Sequence, residues 1–271
     1  MSEQLTWEEA VAQLLAQEGE RELAEACYFD SPVEACAERF YRSEEWAQTR
    51  RYLPAVSEGA RALDIGAGRG IASYALAKEG WSVSALEPDE SGLVGAGAIR
   101  ELLRHEALDI SVVVAEGERL PFEDATFDLV YLRQVLHHAK DLGRLCGEIG
   151  RVLKKGGMLV AVREHVIDRH ADRERFFEKH PLHRLYGGEN AYLLREYIDA
   201  IEGGGIRLDV VLPPYSNPVN LAPWNPEKIR RKLYEKSRLH WPMWSVGFLL
   251  RMLDRFSKQP GRLYSFIGHK T

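Results

Sequence analysis

Residues 61–70 run from the apolar segment Ala62-Leu63-Asp64-Ile65 into a turn with glycine at positions 66, 68 and 70. A strand that ends in such a turn and opens a helix suits the approach of a ligand. Glycine removes the Cβ, and the start of a helix leaves backbone N–H groups free. Two details narrow the ligand. The spacing is GxGxG and not GxGxxG, because position 71 is Ile. Asp64 stands two places before the first glycine, where its charge would repel a pyrophosphate but not a ligand carrying an ammonium and a sulfonium. Glu87 follows the next apolar segment, where a carboxylate can accept hydrogen bonds from both hydroxyls of a ribose. Glu87 alone suits NAD equally well, so it indicates a ribose, and the glycine spacing with Asp64 makes the choice.

The elements that must position these groups alternate. Strands are expected at Arg61–Ile65, Ser82–Leu86, Ile110–Ala115, Phe127–Leu132 and Met158–Val162. Helices are expected at Ile71–Lys78, Ser91–His105 and Leu142–Leu153, the last ended by Lys154-Lys155-Gly156-Gly157. This beat predicts parallel βαβ units with helices on both faces of the sheet. After Val166 the pattern changes. Residues 167–188 read as a polar loop insertion, Asn190–Ile201 as a helix, Ile206–Leu212 as a strand and Leu263–Ile267 as the last strand. The division expected is an N-terminal helical cap over 1–55 with a break at Ser31-Pro32, a core over 56–212, an inserted cap or lid over 213–261, and the final core strand over 262–271.

The 271 residues carry a net charge of −5 and are 45% hydrophobic, ordinary for a folded enzyme and without a broad basic field for nucleic acid. Cys27, Cys36 and Cys146 form no CxxC pair and no metal-ligand spacing, which suits a reducing cytoplasm. Thr6-Trp7-Glu8-Glu9 has the form of a capping box, and no export signal or membrane span is expected.

Leu63-Asp64-Ile65-Gly66-Ala67-Gly68-Arg69-Gly70 resembles the first motif of class I S-adenosylmethionine-dependent methyltransferases. Glu118–Phe122 with Phe127–Val130, then Leu136–Ala139, then Arg151–Gly157 continue the resemblance in order, in the ubiquinone/menaquinone-biosynthesis-like (methyltransferase type 11) branch. The resemblance implies a Rossmann-like sheet of seven strands, mostly parallel with the last antiparallel, and S-adenosylmethionine as cofactor. It implies that Gly66, Gly68 and Gly70 pass close to the methionine part and that Glu87 binds the ribose. Glu116, where the family usually has Asp, would face the adenine, Gly117 would offer its N–H to the ring, and Arg133 would lie near the methionine end.

Methyl transfer requires positioning of donor and acceptor, and a base if the acceptor is a hydroxyl or an ammonium. The base candidates are His137 and His138 after the fourth strand, and His165 after the fifth. His137 and His138, as neighbours on a helix, should point apart, so no metal site is expected. The segment His180–Tyr192, with His183, Arg184, Tyr186 and Gly187-Gly188, is expected to cross above the strand ends and form an acceptor pocket with His165. Tyr215, Trp224, Trp241 and Trp244 would make an aromatic lid, and Arg39, Tyr41 and Trp46 would close the other side. Trp241–Leu250 with Arg251 and Arg255 reads as a buried cap helix in preference to a membrane-surface helix. The function expected is methyl transfer to a small molecule, a sugar or lipid-linked intermediate. The competing readings are a non-catalytic cofactor-binding protein and an NAD-dependent oxidoreductase.

Overall fold

The computed structural model describes residues 5–16, 25, 27–30, 32–187 and 189–271, without the side chains of residues 179, 181, 182 and 184. Helical structure expected over 17–24, the break at Ser31, and the roles given to Arg184 and Gly188 lie outside the described residues.

The strands are β1 (Arg61–Ile65), β2 (Ser82–Leu86), β3 (Ile110–Val113), β4 (Phe127–Arg133), β5 (Leu153–Ile167), β6 (Tyr192–Leu193), β7 (Ile206–Leu212) and β8 (Arg262–Lys270). They form one sheet in the order β3-β2-β1-β4-β5-β8-β7, with two-residue β6 paired to the end of β5. All pairings are parallel except those of β8 with β5 and β7. The last strand is therefore antiparallel, as expected, and β6 makes an eighth strand beside the seven.

Side chains alternate between the two faces of a strand, and here both faces are apolar, the mark of a sheet covered on both sides. Ala62, Leu129, Tyr131, Val160 and Val162 face one core, shared with Phe40 and Trp46 from the N-terminal helices α2 (Val33–Tyr41) and α3 (Glu44–Thr49) and with α4 (Ile71–Lys78). Leu63, Ile65, Val130, Leu132 and Leu159 face the other, against α6 (Leu142–Val152) and α9 (Leu194–Gly203). The remaining helices are α1 (Trp7–Ala16), α5 (Ala96–His105), α7 (Asp172–Lys179), α8 (Pro181–Tyr186), α10 (Pro218–Leu221), α11 (Pro226–Ser237) and α12 (Met243–Phe256). The capping box at α1 forms: Thr6 N donates to Glu9 Oε2 at 2.8 Å, and Glu9 N donates to Thr6 Oγ1 at 3.2 Å.

Several boundaries differ from the sequence reading. β5 is three times the expected length, because it pairs with β4 from Leu153 onward and with β8 out to Val166. Residues 167–188, expected as a loop, contain α7 and α8. The helix expected from Asn190 begins at Leu194, since Tyr192 and Leu193 pair with Val166 and Ile167. α12 is not a buried cap helix: Val246 and Leu250 are buried, whereas Trp244, Phe248 and Phe256 are exposed. Among the described residues, no helix is long and apolar enough to cross a membrane.

The N-terminal helices are tied to the sheet by a buried ion group. Glu45, on α3, lies 2.6 and 3.1 Å from the Arg133 guanidinium at the end of β4, and 3.7 Å from Arg163 on β5. Burial opposes ionisation of Glu45, but Arg133 and Arg163 hold its carboxyl below the ordinary range. Replacing Glu45 by Ala leaves two buried guanidinium groups without their carboxylate. The expected cost is about 3–5 kcal/mol, the usual penalty for breaking a buried pair. Urea unfolding of Glu45→Ala beside the wild type measures it.

Candidate active site

The strand order runs one way through β1, β2 and β3 and the other way through β4 and β5, so it reverses between β1 and β4. Ligands of such sheets bind beyond the carboxyl ends of the strands at that point. A cavity of about 680 Å³ lies there. Its floor is the turn after β1 and the ends of β2, β4 and β5; residues 7 and 27–29 and the segment around Tyr186 and Glu189 wall it.

At one end, Gly66 has φ +62°, and a Cβ there would lie 2.6 Å from Val135 Cγ2. The first glycine of the turn therefore serves both backbone conformation and close approach. Gly68 N donates to Glu87 Oε2 at 2.7 Å, and Asp89 N donates to Glu87 Oε1 at 3.0 Å. Glu87 is buried and faces the cavity, so it is not a solvent-exposed turn residue. Burial pushes its carboxyl up to about 7 against those two backbone hydrogen bonds. Asp64 is buried too and accepts a 2.6 Å hydrogen bond from Ser73 Oγ. Burial likewise pushes Asp64 up to about 7, with Ser73 opposing. Glu116 and Gly117 line the same end, while Gly70, at φ +76° against Ile99, shapes the turn behind it.

Arg133 also borders the cavity, but its guanidinium is engaged by Glu45 and by Gln134 Oε1 at 3.1 Å. Each of its three guanidinium nitrogens already donates to one of these partners. Gln134 has φ +59°, a conformation costly for a non-glycine residue and characteristic of ligand-binding loops.

The other end is built on one buried carboxylate. Glu164, fully buried, accepts from Val135 N at 3.0 Å and from His137 N at 3.1 Å, and pairs with His137 Nδ1 at 2.7 Å. Glu189 Oε2 lies 3.3 Å from His137 Nε2. Burial alone would lower the His137 pKa, but these two carboxylates push it up to about 9. His137 is therefore held as an imidazolium, which corrects its expected role as a base. The expectation that His137 and His138 point apart also fails. They lie on a short 3₁₀ turn, Leu136–His138, and their ring centroids are 4.2 Å apart.

His165 behaves differently. Its Nδ1 lies 3.1 Å from Gly261 O, a contact that requires the proton on Nδ1. Its Nε2 is buried in the cavity wall and has no hydrogen-bond partner among the described residues. Burial, reinforced by the charge on His137, drives the His165 pKa well below the ordinary value. His165 is thus neutral, with a bare Nε2 lone pair. A bulge supports this placement. The β5–β8 register shifts between Ala161 and Glu164, where Arg163 takes φ +66°.

His183 does not reach the cavity. It stacks on Phe177 at 4.0 Å, while His180 lines the cavity and caps α8 by accepting from His183 N. Arg39 pairs with Asp30 and Trp46 is in the core, so neither closes the site. Trp224 and Trp244 are solvent-exposed, away from the cavity. Trp7, Tyr28, Phe29 and Glu189 are among the cavity residues to which the sequence reading gave no role.

The sheet order, the glycine turn and the acidic residue after β2 together define a Rossmann-like α/β domain. A family model described as a methyltransferase domain matches residues 63–161. Over this stretch the chain is similar to class I S-adenosylmethionine-dependent methyltransferases of the ubiquinone/menaquinone-biosynthesis-like branch. It is similar to a ubiquinone biosynthesis O-methyltransferase of Methylocella silvestris, 33% identical over 111 residues, 41% of this chain and 42% of the relative. It is also similar to a demethylmenaquinone methyltransferase of Corynebacterium glutamicum, 32% identical over 120 residues, 44% and 48% of the two chains. The chain thus spans under half the length of these curated relatives. In fold it resembles a geranyl diphosphate methyltransferase solved with S-adenosylmethionine, with TM-score 0.61, 18% identity and coverage of 96% and 95%.

The raised carboxyls at Asp64 and Glu87 have a consequence for stability. A carboxyl whose pKa is higher folded than unfolded keeps its proton longer in the native state, so native protein binds more protons than unfolded between about 4 and 7. Stability from these groups therefore falls as pH rises through that window. Asp64→Asn keeps the Ser73 partner but cannot ionise. Its stability relative to wild type should improve from pH 5 to pH 8, as read by urea unfolding at both.

Proposed function

We propose that this chain transfers the methyl group of S-adenosylmethionine to a small molecule bound in the same cavity. The observation that carries this reading is the continuity of one cavity lined by Glu87 at one end and His165 at the other. Glu87 would take the ribose hydroxyls, Glu116 and Gly117 the adenine, and Gly66 and Gly68 the methionine chain. Asp64 and Arg133 would complete the electrostatics around the ammonium and carboxylate.

The methyl carbon leaves the sulfonium as the acceptor atom attacks in line, and sulfur keeps the bonding pair as a neutral thioether. The carbon is already activated, so the protein's task is to hold the acceptor atom about 3 Å away and aligned. Of the histidines expected to act on the acceptor, His165 is the one that lines the cavity and has a ring nitrogen without a partner among the described residues. The acceptor-activating end of the site is therefore assigned to His165 with Glu189. The rings of Trp7, Tyr28, Phe29 and Tyr186 on the cavity wall favour an acceptor with an apolar or lipid-linked body over a bare sugar. The relatives' names, which concern quinone precursors, agree with that choice. In this reading residues 1–55 act as a cap over the site and residues 213–261 as a separate helical insertion. Three free thiols, two of them buried, suit work in the cytoplasm.

Calorimetry with S-adenosylhomocysteine tests the donor end. Because a ribose diol donates to an ionised Glu87, affinity should rise with pH, by about tenfold per unit below the carboxyl's pKa near 7, and level off above it. Glu87→Gln should bind weakly and without that pH dependence. Binding of NAD in place of S-adenosylhomocysteine would reject the reading. With an accepted substrate in hand, His165→Ala should lower kcat by about 100-fold or more while cofactor affinity holds, since loss of an activating group typically costs that much.

A further inference from the structure

Three groups converge at the His165 end of the cavity whose arrangement the methyl-transfer reading leaves unexplained. One ligand atom each from His137, His165 and Glu189 lies within 4.8 Å of the other two, and all three residues are buried. They come from three separate segments: the turn after β4, the end of β5, and the chain between α8 and β6. The exposures are 1% for His137, 7% for His165 and 6% for Glu189.

The orientation of the two imidazoles is the telling feature. Each has its Nδ1 fixed by an outer acceptor: Glu164 Oε2 at 2.7 Å for His137, and the Gly261 carbonyl at 3.1 Å for His165. For His137 this leaves Nε2 on the Glu189 side, 3.3 Å from its Oε2, and for His165 it leaves Nε2 as the nitrogen available to the cluster. This is the arrangement found around metal-ligating histidines, where a carboxylate or carbonyl takes the second N–H, sets the tautomer and raises the basicity of the ligating nitrogen. His165 Nε2 is buried and unpartnered among the described residues. Ligand atoms placed about 2.0–2.1 Å from a tetrahedral zinc ion stand about 3.3 Å apart, which is the His137 Nε2–Glu189 Oε2 separation.

We propose that His137 Nε2, His165 Nε2 and Glu189 bind a first-row divalent transition metal, such as zinc, with its open positions toward the acceptor. Two imidazoles and one carboxylate select such an ion over magnesium or calcium, which take oxygen ligands. As the metal enters, the proton on His137 Nε2 leaves to solvent while Nδ1 keeps its bond to Glu164. This deepens the methyl-transfer reading and rests on it for the metal's use. A bound ion would coordinate an acceptor oxygen and lower its pKa, so that the oxygen reacts as the anion. The acceptor class is accordingly a molecule presenting an ionisable hydroxyl or enol beside an apolar body.

The test begins with the full chain stripped by chelator and titrated with Zn2+ in a calorimeter, then with Co2+ while visible absorption is recorded. A single equivalent should bind with submicromolar affinity, and Co2+ should give the intense bands of a four- or five-coordinate site. His165→Ala and Glu189→Gln should each weaken Zn2+ binding by about 100-fold or more, at least the loss that follows removal of an outer partner. His105→Ala, at an exposed histidine paired with Glu34 and Glu101, should bind as the wild type does. Circular dichroism confirms that each variant is folded, and S-adenosylhomocysteine binding is read on the same samples. A folded wild-type chain that takes up no Zn2+, or variants that bind it unchanged, would overturn the metal site whatever the cofactor result. Metal binding without S-adenosylhomocysteine binding would leave the site standing and reject the donor reading.

Discussion

The histidine end of the cavity depends on where one carboxylate sits. Glu164 is fully buried on β5, yet it is neither strained nor wasted, because backbone donors and an imidazole from the turn after β4 converge on it. A buried ion is costly unless its lone pairs are met. That requirement fixes the turn at Val135–His137 in one conformation and fixes the His137 ring within it. The bulge at Arg163 sets the phase of the end of β5, so Glu164 points at the turn and His165 borders the cavity. Without that bulge the alternation along β5 would deliver different side chains to these places.

The two ends of the cavity use burial in opposite ways. At the cofactor end, Asp64 and Glu87 are acids kept reluctant to ionise, since few cations lie near them and desolvation dominates. Such carboxylates gain most from a ligand that brings hydrogen-bond donors or a positive charge. At the histidine end, Glu189 is buried to a similar degree, yet His137 beside it holds its carboxyl well below the ordinary range. One end therefore waits for donors and the other already holds charge. Glu45, with Arg133 and Arg163, couples the N-terminal helices to this polarity, since one of its arginines borders the cavity.

Much of the scaffold was legible in the sequence because it obeys local rules. β1, β2, β7 and α4 have the bounds that hydrophobic pattern and glycine punctuation predict. Glu87 and the glycine turn fall where a strand end must place them. What was not legible depends on partners distant in the chain. The length of β5 is set by β4 and β8. The exposure of α12 is invisible in its own periodicity, which shows an apolar face but not whether anything covers it. α7 and α8 were missed because α7 is polar and, among the described residues of the two helices, Phe176 is the one apolar side chain anchored firmly in the core.

The histidine end shows the same limit most sharply. A metal or proton site is legible in sequence when its ligands stand at a recognisable spacing, and positions 137, 165 and 189 have none. His137 and His138 drew attention as neighbours, but the pairing that matters joins His137 to His165, with ring centroids 4.6 Å apart across two strands. The informative signal was a different one, an acidic residue beside each histidine segment: Glu164 before His165 and Glu189 after His183. A carboxylate near a strand end in an otherwise apolar segment must find donors on folding. The donors available at the carboxyl ends of these strands are imidazoles and the free amides of the turns. Glu164 and Glu189 are thus the better guide to this cluster than the histidines, because a buried acid dictates which donors must come to it.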